Sequence, residues 1–273
     1  MARQPARLKL FLEDSGMVAR VNIVEAKGST PREAGTWMLV SQTGLFGTIG
    51  GGQLELMAIN EARSLLAGTS DKADMDIPLG PEIGQCCGGR VRVEIDRLDK
   101  DSIAQISALV ETDDAALPHV YVFGAGHVGK ALGDALSLLP VRAHLVETRQ
   151  EELDGATADV EKRLAAMPEE LVRQAPPHSA FIVMTHEHAL DFIIVREALA
   201  RTDTAYVGMI GSKTKRATYV SWHNKEGGDP DDCDRLICPI GASALGDKRP
   251  AVIAALVACE VMTALNVAQD NAS

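Results

Sequence analysis

The stretch VYVFGAGHVGKAL, residues 120–132, constrains the fold more than any other part of the chain. Its apolar start predicts a β-strand, and Gly124, Gly126 and Gly129 form a G-x-G-x-x-G pattern that opens an apolar helix. The first glycine of such a turn permits the tight bend, the second lets a pyrophosphate approach the backbone, and the third lets helix and strand pack closely. Since a helix N-terminus also offers free N–H groups, the sequence predicts a phosphate or nucleotide site here.

An acidic residue lies where a nucleotide site of this kind places one. Glu147 closes the next apolar run, 23 residues beyond Gly124, and an acidic side chain near this place usually binds a ribose hydroxyl. Arg149 follows and could accommodate an extra phosphate instead. The alternative is a Rossmann-like fold whose nucleotide site is unused.

Apolar runs with little alternation recur beyond Pro118, separated by helical segments, and this is typical of a parallel sheet covered on both faces. The runs are Val120–Phe123, Ala143–Val146, Ala180–Met184 and Ala205–Ile210. The polar segment TDDAALP, residues 112–118, ends in proline and predicts a domain boundary. We therefore expect an α/β protein with an N-terminal mixed α+β domain, residues 1–112, followed by a Rossmann-like doubly wound parallel sheet, residues 118–273.

The N-terminal part shows strand patterns, one amphipathic helix and, at Ser102–Val110, a short helix with Ser102 as its predicted N-cap. Strands are predicted at Val18–Ala26 and around Val91–Ile95, a hairpin from Trp37–Val40 and Leu45–Thr48, and a helix from Gln53 to about Leu66.

The loop THEHALD, residues 185–191, follows the third apolar run and so lies at the carboxyl end of the sheet, where open α/β folds bind ligands. His186, His188 and Asp191 resemble the start of a metallo-hydrolase H-x-H-x-D-H box, although the match fails at the last two positions. We expect these three side chains to contact a ligand. The alternative is that Thr185 or His186 caps the following helix.

The segment GMIGSKTKR, residues 208–216, ends the fourth run. Ser212 is a favourable N-cap, but Lys213, Lys215 and Arg216 then lie in the first helical turn, where cations oppose the helix dipole. A bound anion at Ser212 and Lys213 would relieve that conflict. The alternative is an ordinary solvated basic surface.

The first half has its own glycine-rich element, GTIGGGQLE, residues 47–55. Three consecutive glycines before a helix can form an anion-binding nest of backbone N–H groups. The candidate ligand-binding residues here are Gly50, Gly51, Gly52, Gln53 and Glu55.

Two adjacent cysteines, Cys86 and Cys87, precede Gly88 and Gly89. The glycines would let a ligand come close to one thiol, a soft thiolate suits a soft metal, and the nearby Arg90 would lower a thiol pKa. Buried packing cysteines are the alternative and the more common fate of free cysteine.

The composition excludes some classes of partner and compartment. A formal net charge of −11 disfavours nucleic acid, whose phosphates would be repelled. The N-terminal apolar stretch LKLFL is too short for a signal peptide, and Glu260 breaks the longest apolar run, Ala251–Cys259, so we expect no membrane partner. An odd count of five cysteines fits a reducing, cytoplasmic setting.

Taken together, the motifs resemble the xanthine dehydrogenase accessory protein family, the XdhC type. The resemblance spans about Ala26 to Ala258 and rests on seven segments in order: GSTPREAGTWMLV, GTIGGGQLE, CCGGRV, VFGAGHVG, THEHALD, YVGMIGSKTKR and CPIG. The chain departs from the family after CPIG, where it continues ASALGDKRPAVIAAL instead of the more usual Leu and Asp-Ile-Gly-Ala stretch.

The resemblance implies a cytoplasmic chaperone, not a turnover enzyme. Such a protein binds molybdenum cofactor (molybdopterin, alone or as a dinucleotide form), assists its sulfuration and helps insert it into xanthine dehydrogenase or a related molybdenum hydroxylase. Its implied partners are that hydroxylase, a cysteine desulfurase and a second copy in a homodimer. We expect Gly50, Gly51, Gly52 and Gln53 to hold the pterin, and Cys86 or Cys87 to contact molybdenum.

Two rival functions use the same residues. An NAD(P)-dependent oxidoreductase would share the glycine turn and Glu147 and would take its proton donor from His127 or His186. A metal-dependent hydrolase would use His186, His188 and Asp191.

Overall fold

The computed structural model describes residues 4–68, 70–81, 88–241 and 246–270. The chain divides into two compact units, Ala2–Ala115 and Ala116–Ser273. The first is a mixed α+β unit and the second has a parallel sheet with helices, so the predicted fold class is confirmed.

The first unit contains a five-stranded antiparallel sheet in the order β3-β2-β1-β5-β4. Its strands are β1 (Val18–Lys27), β2 (Trp37–Ser41), β3 (Leu45–Gly47), β4 (Lys72–Pro78) and β5 (Arg90–Arg97). Its helices are α1 (Gln4–Glu13), α2 (Gly52–Ala67) and α3 (Lys100–Ala115).

Alternation along β1 gives this sheet two apolar faces, because successive side chains point to opposite sides. Val21 and Ile23 are fully buried and belong to the same core as Leu54 and Leu66 of α2. Val18 belongs to a second core, which includes Leu8 of α1 and Ile106 and Val110 of α3. The sheet therefore lies between α2 on one face and α1 with α3 on the other.

Helix α3 is longer than the sequence predicted. The helix prediction covered 102–110 with Ser102 as the N-cap, but the N–H of Ser102 instead donates to Asp99 Oδ1 at 2.8 Å. The helix then continues to Ala115, so that Thr112–Ala115 forms its last turn. The polar composition of this segment reflects an exposed helix end, and the two units divide directly after it.

The second unit contains a six-stranded, all-parallel sheet in the order β11-β10-β9-β6-β7-β8. Its strands are β6 (His119–Phe123), β7 (Arg142–Glu147), β8 (Glu161–Leu164), β9 (Ala180–Val183), β10 (Tyr206–Met209) and β11 (Leu236–Ile237). Its α-helices are α4 (His127–Leu136), α5 (Gln150–Asp154), α6 (Glu169–Gln174), α7 (His188–Leu199), α8 (Lys213–Lys225) and α9 (Pro250–Asp270), with a 3₁₀ helix at Pro230–Arg235.

Helices cover both faces of this sheet. Val122 and Ile182 pack in one core with Leu132 of α4 and Val257 of α9. Phe123 and Phe181 pack in the other core, with residues of α6, α7 and α8. From β6 the chain proceeds to β7 and β8 in one direction and returns to β9, β10 and β11 in the other, which makes the β6–β9 boundary the topological switch point where such sheets bind ligands.

Helix α9 has a segment, Pro250–Ala268, that is long and apolar enough to cross a membrane, by length and composition alone. A core helix of a globular unit passes the same test, and Ala254, Val257 and Val261 lie in the core of the second unit. The expectation of no membrane partner stays a prediction.

Truncation of a central core side chain should destabilise the second unit. Ile182 is fully buried in β9, between β6 and β10, so we expect Ile182→Ala to lower the free energy of unfolding by about 2–5 kcal/mol in urea titrations. Leu138 is 72% exposed, and Leu138→Ala should change it by less than about 0.5 kcal/mol. Equal effects of the two substitutions would contradict this description of the core.

Candidate functional site

The glycine turn after β6 shows why three glycines are needed at this spacing. Gly124 has a φ of +114°, and a Cβ there would lie 2.4 Å from the carbonyl oxygen of Met184. A Cβ on Gly129 would lie 1.9 Å from the carbonyl oxygen of Gly124. Both glycines therefore allow the turn and α4 to pack against the sheet.

Gly126 differs from these two glycines. A Cβ at Gly126 would meet no heavy atom within 4 Å among the described residues, and its φ is −71°. Gly126 is the N-cap residue of α4 and has no side chain with which to cap the helix. The second glycine thus faces open space beside the first N–H groups of a ten-residue helix, an arrangement that suits an incoming phosphate. His127, the first residue of α4, is exposed beside it.

Glu147 is placed at the end of β7 as predicted, but its carboxylate is already occupied. Oε2 accepts from the N–H of Ala125 at 2.9 Å and from Arg149 Nη2 at 3.2 Å. Oε1 accepts from the N–H groups of Thr148 and Arg149 at 2.9 and 3.2 Å, from Thr148 Oγ1 at 3.1 Å and from Arg149 Nε at 3.2 Å. In this structure Glu147 holds the glycine turn and Arg149 in place, and its contact with a ribose stays a prediction.

The protonation state of Glu147 follows from these contacts. Burial of the carboxylate, which is 4% exposed as a residue, would by itself raise its pKa. The hydrogen bonds from Arg149, Ala125 and Thr148 outweigh burial and lower the pKa of Glu147 to about 2. The carboxylate is therefore ionised throughout the physiological range.

The loop after β9 brings Asp191 to the same edge of the sheet. Asp191 is fully buried, and its Oδ1 accepts from the N–H and Oγ1 of Thr185 at 2.9 and 2.7 Å. Its Oδ2 lies 2.5 Å from Lys215 Nζ. The ammonium of Lys215 thus occupies the position beside Asp191 that a metal ion would need.

His186 in the loop before α7 and His188 at the first position of α7 are both exposed, whereas Asp191 is buried. Among the described residues, no group of three or more His, Cys, Asp or Glu side chains is placed to hold a metal ion. The geometry therefore gives no support to the hydrolase alternative at this loop.

Helix α8 begins as predicted with Ser212, whose Oγ accepts from the N–H of Lys215 at 3.2 Å. Lys213 is exposed at the start of the helix. The sequence predicts Lys215 in the first turn of α8 but does not indicate its role, which is to pair with Asp191. Its pairing with Asp191, 24 positions earlier, depends on β9 and β10 being neighbours and has no local signal in the sequence.

In the first unit the predicted anion nest holds a carboxylate of the chain itself. Gly50, Gly51 and Gly52 have φ values of +121°, +75° and +66°. Glu55 Oε2 accepts from the N–H groups of Ile49 and Gly51 at 3.0 and 3.1 Å, and also from Thr48 Oγ1. Partial burial would raise the pKa of Glu55, but these hydrogen bonds outweigh it and the pKa is lowered. Gln53 stays exposed in the first turn of α2.

Three of the motif loops meet in the first unit. A Cβ on Gly50 would lie 2.9 Å from Pro31 Cβ, and one on Gly89 would lie 2.3 Å from the carbonyl oxygen of Ser29. The GSTPREAG loop therefore packs against both the Gly50–Gly52 turn and the glycines that follow the cysteine pair. Cys86 and Cys87 themselves lie outside the described residues.

The chain is thus a two-part α/β protein, with an antiparallel α+β unit followed by a Rossmann unit that has an open glycine turn at its switch point. Residues 120–261, just over half of the chain, match the family model described as the XdhC Rossmann domain, and residues 12–74 match the model of the XdhC and CoxI family. The chain therefore belongs to the XdhC family, as its motifs predicted.

Two known proteins are similar over most of this chain. The uncharacterized protein YqeB of Escherichia coli (strain K12) is 23% identical over 260 residues, which cover 91% of this chain and 43% of the relative. The chain thus spans less than half the length of that curated relative. A crystal structure described as a xanthine dehydrogenase from Bacillus halodurans superposes with a TM-score of 0.80 at 16% identity, covering 97% of this chain and 96% of that one, which shows a shared fold.

The glycine turn predicts opposite outcomes for two alanine substitutions. Gly129→Ala forces a Cβ against the carbonyl oxygen of Gly124, so we expect a loss of about 1–3 kcal/mol or more in the free energy of unfolding. Gly126→Ala meets open space and should cost only about 0.5 kcal/mol, through a poorer N-cap. Thermal or urea unfolding measures the stability of the two variants. A similar loss of unfolding free energy in both would refute the packing role given to Gly129.

The lowered pKa of Glu147 predicts a pH-dependent stabilisation. Because the pKa of about 2 in the folded protein lies below the usual value of 4.5, the stabilisation is fully present above pH 4.5 and is lost as the pH falls towards 2. Its size is on the order of 3 kcal/mol, since each unit of pKa difference corresponds to about 1.4 kcal/mol. Urea unfolding of Glu147→Gln should show a large deficit at pH 7 that shrinks by pH 3.

The exposed Glu226→Gln variant controls for the loss of one surface charge. A deficit of Glu147→Gln that is the same at pH 7 and pH 3 would show that the carboxylate charge does not stabilise the turn.

Proposed function

We propose that this chain is an accessory protein of molybdenum hydroxylase maturation that binds molybdenum cofactor, assists its sulfuration and promotes its insertion into xanthine dehydrogenase or a related enzyme. Membership of the XdhC family supports a role in xanthine dehydrogenase maturation. The observation on which the proposal chiefly rests is the open, uncapped start of α4 at Gly126, at the switch point of the parallel sheet.

The cofactor is an anionic pterin phosphate with a thiolate-held metal, so its recognition requires positive groups and backbone donors. In the second unit we assign the phosphate, or the nucleotide of a dinucleotide form, to Gly126 and His127 at the start of α4. Ser212 and Lys213 at the start of α8 offer a second helix end, without an acidic residue in its first turn, at the same edge of the sheet. Gly124 and Gly129 act indirectly by shaping the turn.

In the first unit the nest at Gly50–Gly52 is filled by Glu55, so an external anion enters only if it displaces that carboxylate. Gln53 is the exposed polar side chain beside it. The assignment of Cys86 or Cys87 to the metal rests on their place in the sequence alone.

The arrangement favours a carrier over either rival enzyme. A dinucleotide oxidoreductase would use the Glu147 carboxylate to bind a ribose, but here that carboxylate accepts hydrogen bonds from Ala125, Thr148 and Arg149. The carboxylate that a hydrolase would offer to a metal is paired with Lys215. We further propose a cytoplasmic homodimer whose partners are the hydroxylase and a cysteine desulfurase.

Replacement of Gly126 by aspartate should abolish cofactor binding without unfolding the protein. Aspartate is a favourable N-cap residue, and its carboxylate would occupy the helix end that the phosphate needs. We expect Gly126→Asp to bind purified molybdenum cofactor at least about tenfold more weakly, as measured by molybdenum and pterin content after gel filtration.

Gly16→Asp is the matched control, because a Cβ at Gly16 also meets no heavy atom within 4 Å among the described residues and lies in the other unit. Its cofactor content should equal that of the unaltered protein. Full cofactor content in Gly126→Asp would remove the glycine turn from the site, and tight binding of NAD without any binding of the cofactor would favour the oxidoreductase.

A further inference from the structure

The carboxyl ends of β9, β10 and β11 bring together a buried ion pair and a thiol that the proposed function has not used. Lys215 Nζ lies 2.5 Å from Asp191 Oδ2 and donates to the carbonyl oxygen of Ile210 at 2.9 Å. The Lys215 side chain is 11% exposed and that of Asp191 is fully buried. An ammonium group has three N–H donors, so among the described residues these two acceptors leave one N–H for a ligand.

Cys238 lies directly beyond β11, beside the start of α8. Its Sγ is 3.8 Å from the carbonyl oxygen of Ser212, and the residue is partly exposed. Among the described cysteines, Cys233 is buried and Cys259 is exposed on α9. Cys238 is thus the described thiol that is both reachable from solvent and placed at the ligand-binding edge of the sheet.

The charges that act on this thiol are two cations and one carboxylate. Burial raises the pKa of Cys238, and the negative charge of Asp191 raises it further. The positive charges of Lys215 and Arg216 lower it, but burial outweighs them and the pKa of Cys238 is raised. Arg216 is held by a hydrogen bond from Nη2 to the carbonyl oxygen of Cys233 at 2.9 Å. Lys213 adds a third, exposed cation in the same helical turn.

This concentration of positive charge disfavours α8 as a helix. Cations in a first turn oppose the helix dipole, and a single carboxylate, Asp191, compensates one of the three. The three cations in the first turn of α8 therefore do not serve to stabilise the helix. An external anion bound next to Cys238 would account for their presence.

We propose that Cys238 and Lys215 form a binding site for an anion that carries a thiophilic centre, with the third N–H of Lys215 donating to the anion, Lys213 and Arg216 supplying the positive charge that Asp191 does not compensate, and the Cys238 sulfur contacting the metal or sulfur atom. That this anion is the metal-bearing end of molybdenum cofactor rests on the proposed function, and it would assign that end to Cys238 in place of Cys86 or Cys87; the thiol–anion site itself does not rest on the proposed function. When the thiol coordinates a metal, the S–H proton leaves to water, one sulfur–metal bond forms, and no oxidation state changes.

Alkylation kinetics test the site on the full-length protein. Iodoacetate is an anionic reagent and iodoacetamide a neutral one of similar shape, and peptide mass spectrometry reports each cysteine separately. We expect the iodoacetate-to-iodoacetamide rate ratio at Cys238 to exceed that at Cys259 by about three- to tenfold, since nearby cations attract the anionic reagent. Equal ratios at the two cysteines would overturn the proposal.

Charge-removing variants locate the origin of the effect. Lys215→Met should lower the ratio at Cys238 towards that at Cys259, which itself stays unchanged. Because Lys215→Met leaves Asp191 buried without its partner, the exposed Lys213→Met provides a variant that does not disturb this pair and should lower the ratio partially. Lys225→Met, at the other end of α8, is the matched control and should leave it unchanged. A ratio at Cys238 that neither Lys215→Met nor Lys213→Met lowers would refute the assignment.

Purified molybdenum cofactor then tests the identity of the anion. Bound cofactor should slow iodoacetamide labelling of Cys238 and leave Cys259 unaffected. If the cofactor binds and Cys238 is not protected, the metal end lies elsewhere and this inference is wrong while the proposed function stands. If the cofactor does not bind, the proposed function fails, and the rate ratio still decides whether the thiol–anion site exists.

Discussion

The second unit depends on one close approach between backbone segments: α4 lies so near the end of β6 that no side chain fits between Gly129 and the carbonyl group of Gly124. Gly124 in turn contacts the end of β9 at Met184. These contacts connect two neighbouring parallel strands and the first helix at the switch point of the sheet. Because backbone contacts fix β6, β9 and α4 relative to one another, the N-terminus of α4 has a fixed orientation at the carboxyl edge of the sheet, where Gly126 faces open space.

Carboxylates of the chain itself occupy several of the positions that could hold an external ligand. Glu147 supports the glycine turn, Glu55 fills the nest before α2, and Asp191 binds the ammonium of Lys215. Each of these residues was a candidate for ligand contact on sequence grounds. The structure gives each a role in positioning other groups, whereas Gly126, Lys213 and Cys238 are among the groups of the second unit that stay open to a ligand.

The sequence predicted the parts of the fold that rest on apolar periodicity and glycine spacing. Strands β6, β7, β9 and β10 lie within one residue of their predicted ends, because each is an apolar run buried on both faces. The edge strand β8, with the sequence EKRL, was missed because one of its faces is solvated and its pattern is polar. Strand β4 alternates charged and apolar residues and was missed for the same reason. The Lys215–Asp191 pair depends on strand order, which no local pattern specifies.

The carboxylate in the nest of the first unit has a consequence for the rate at which any cargo there can be exchanged. Glu55 is tethered one turn away from the N–H groups it binds, so it competes with an entering anion at a high effective concentration. An anion held there has a resident competitor ready to refill the nest as the anion leaves. A nest of this kind would favour rapid exchange of a bound anion over long retention.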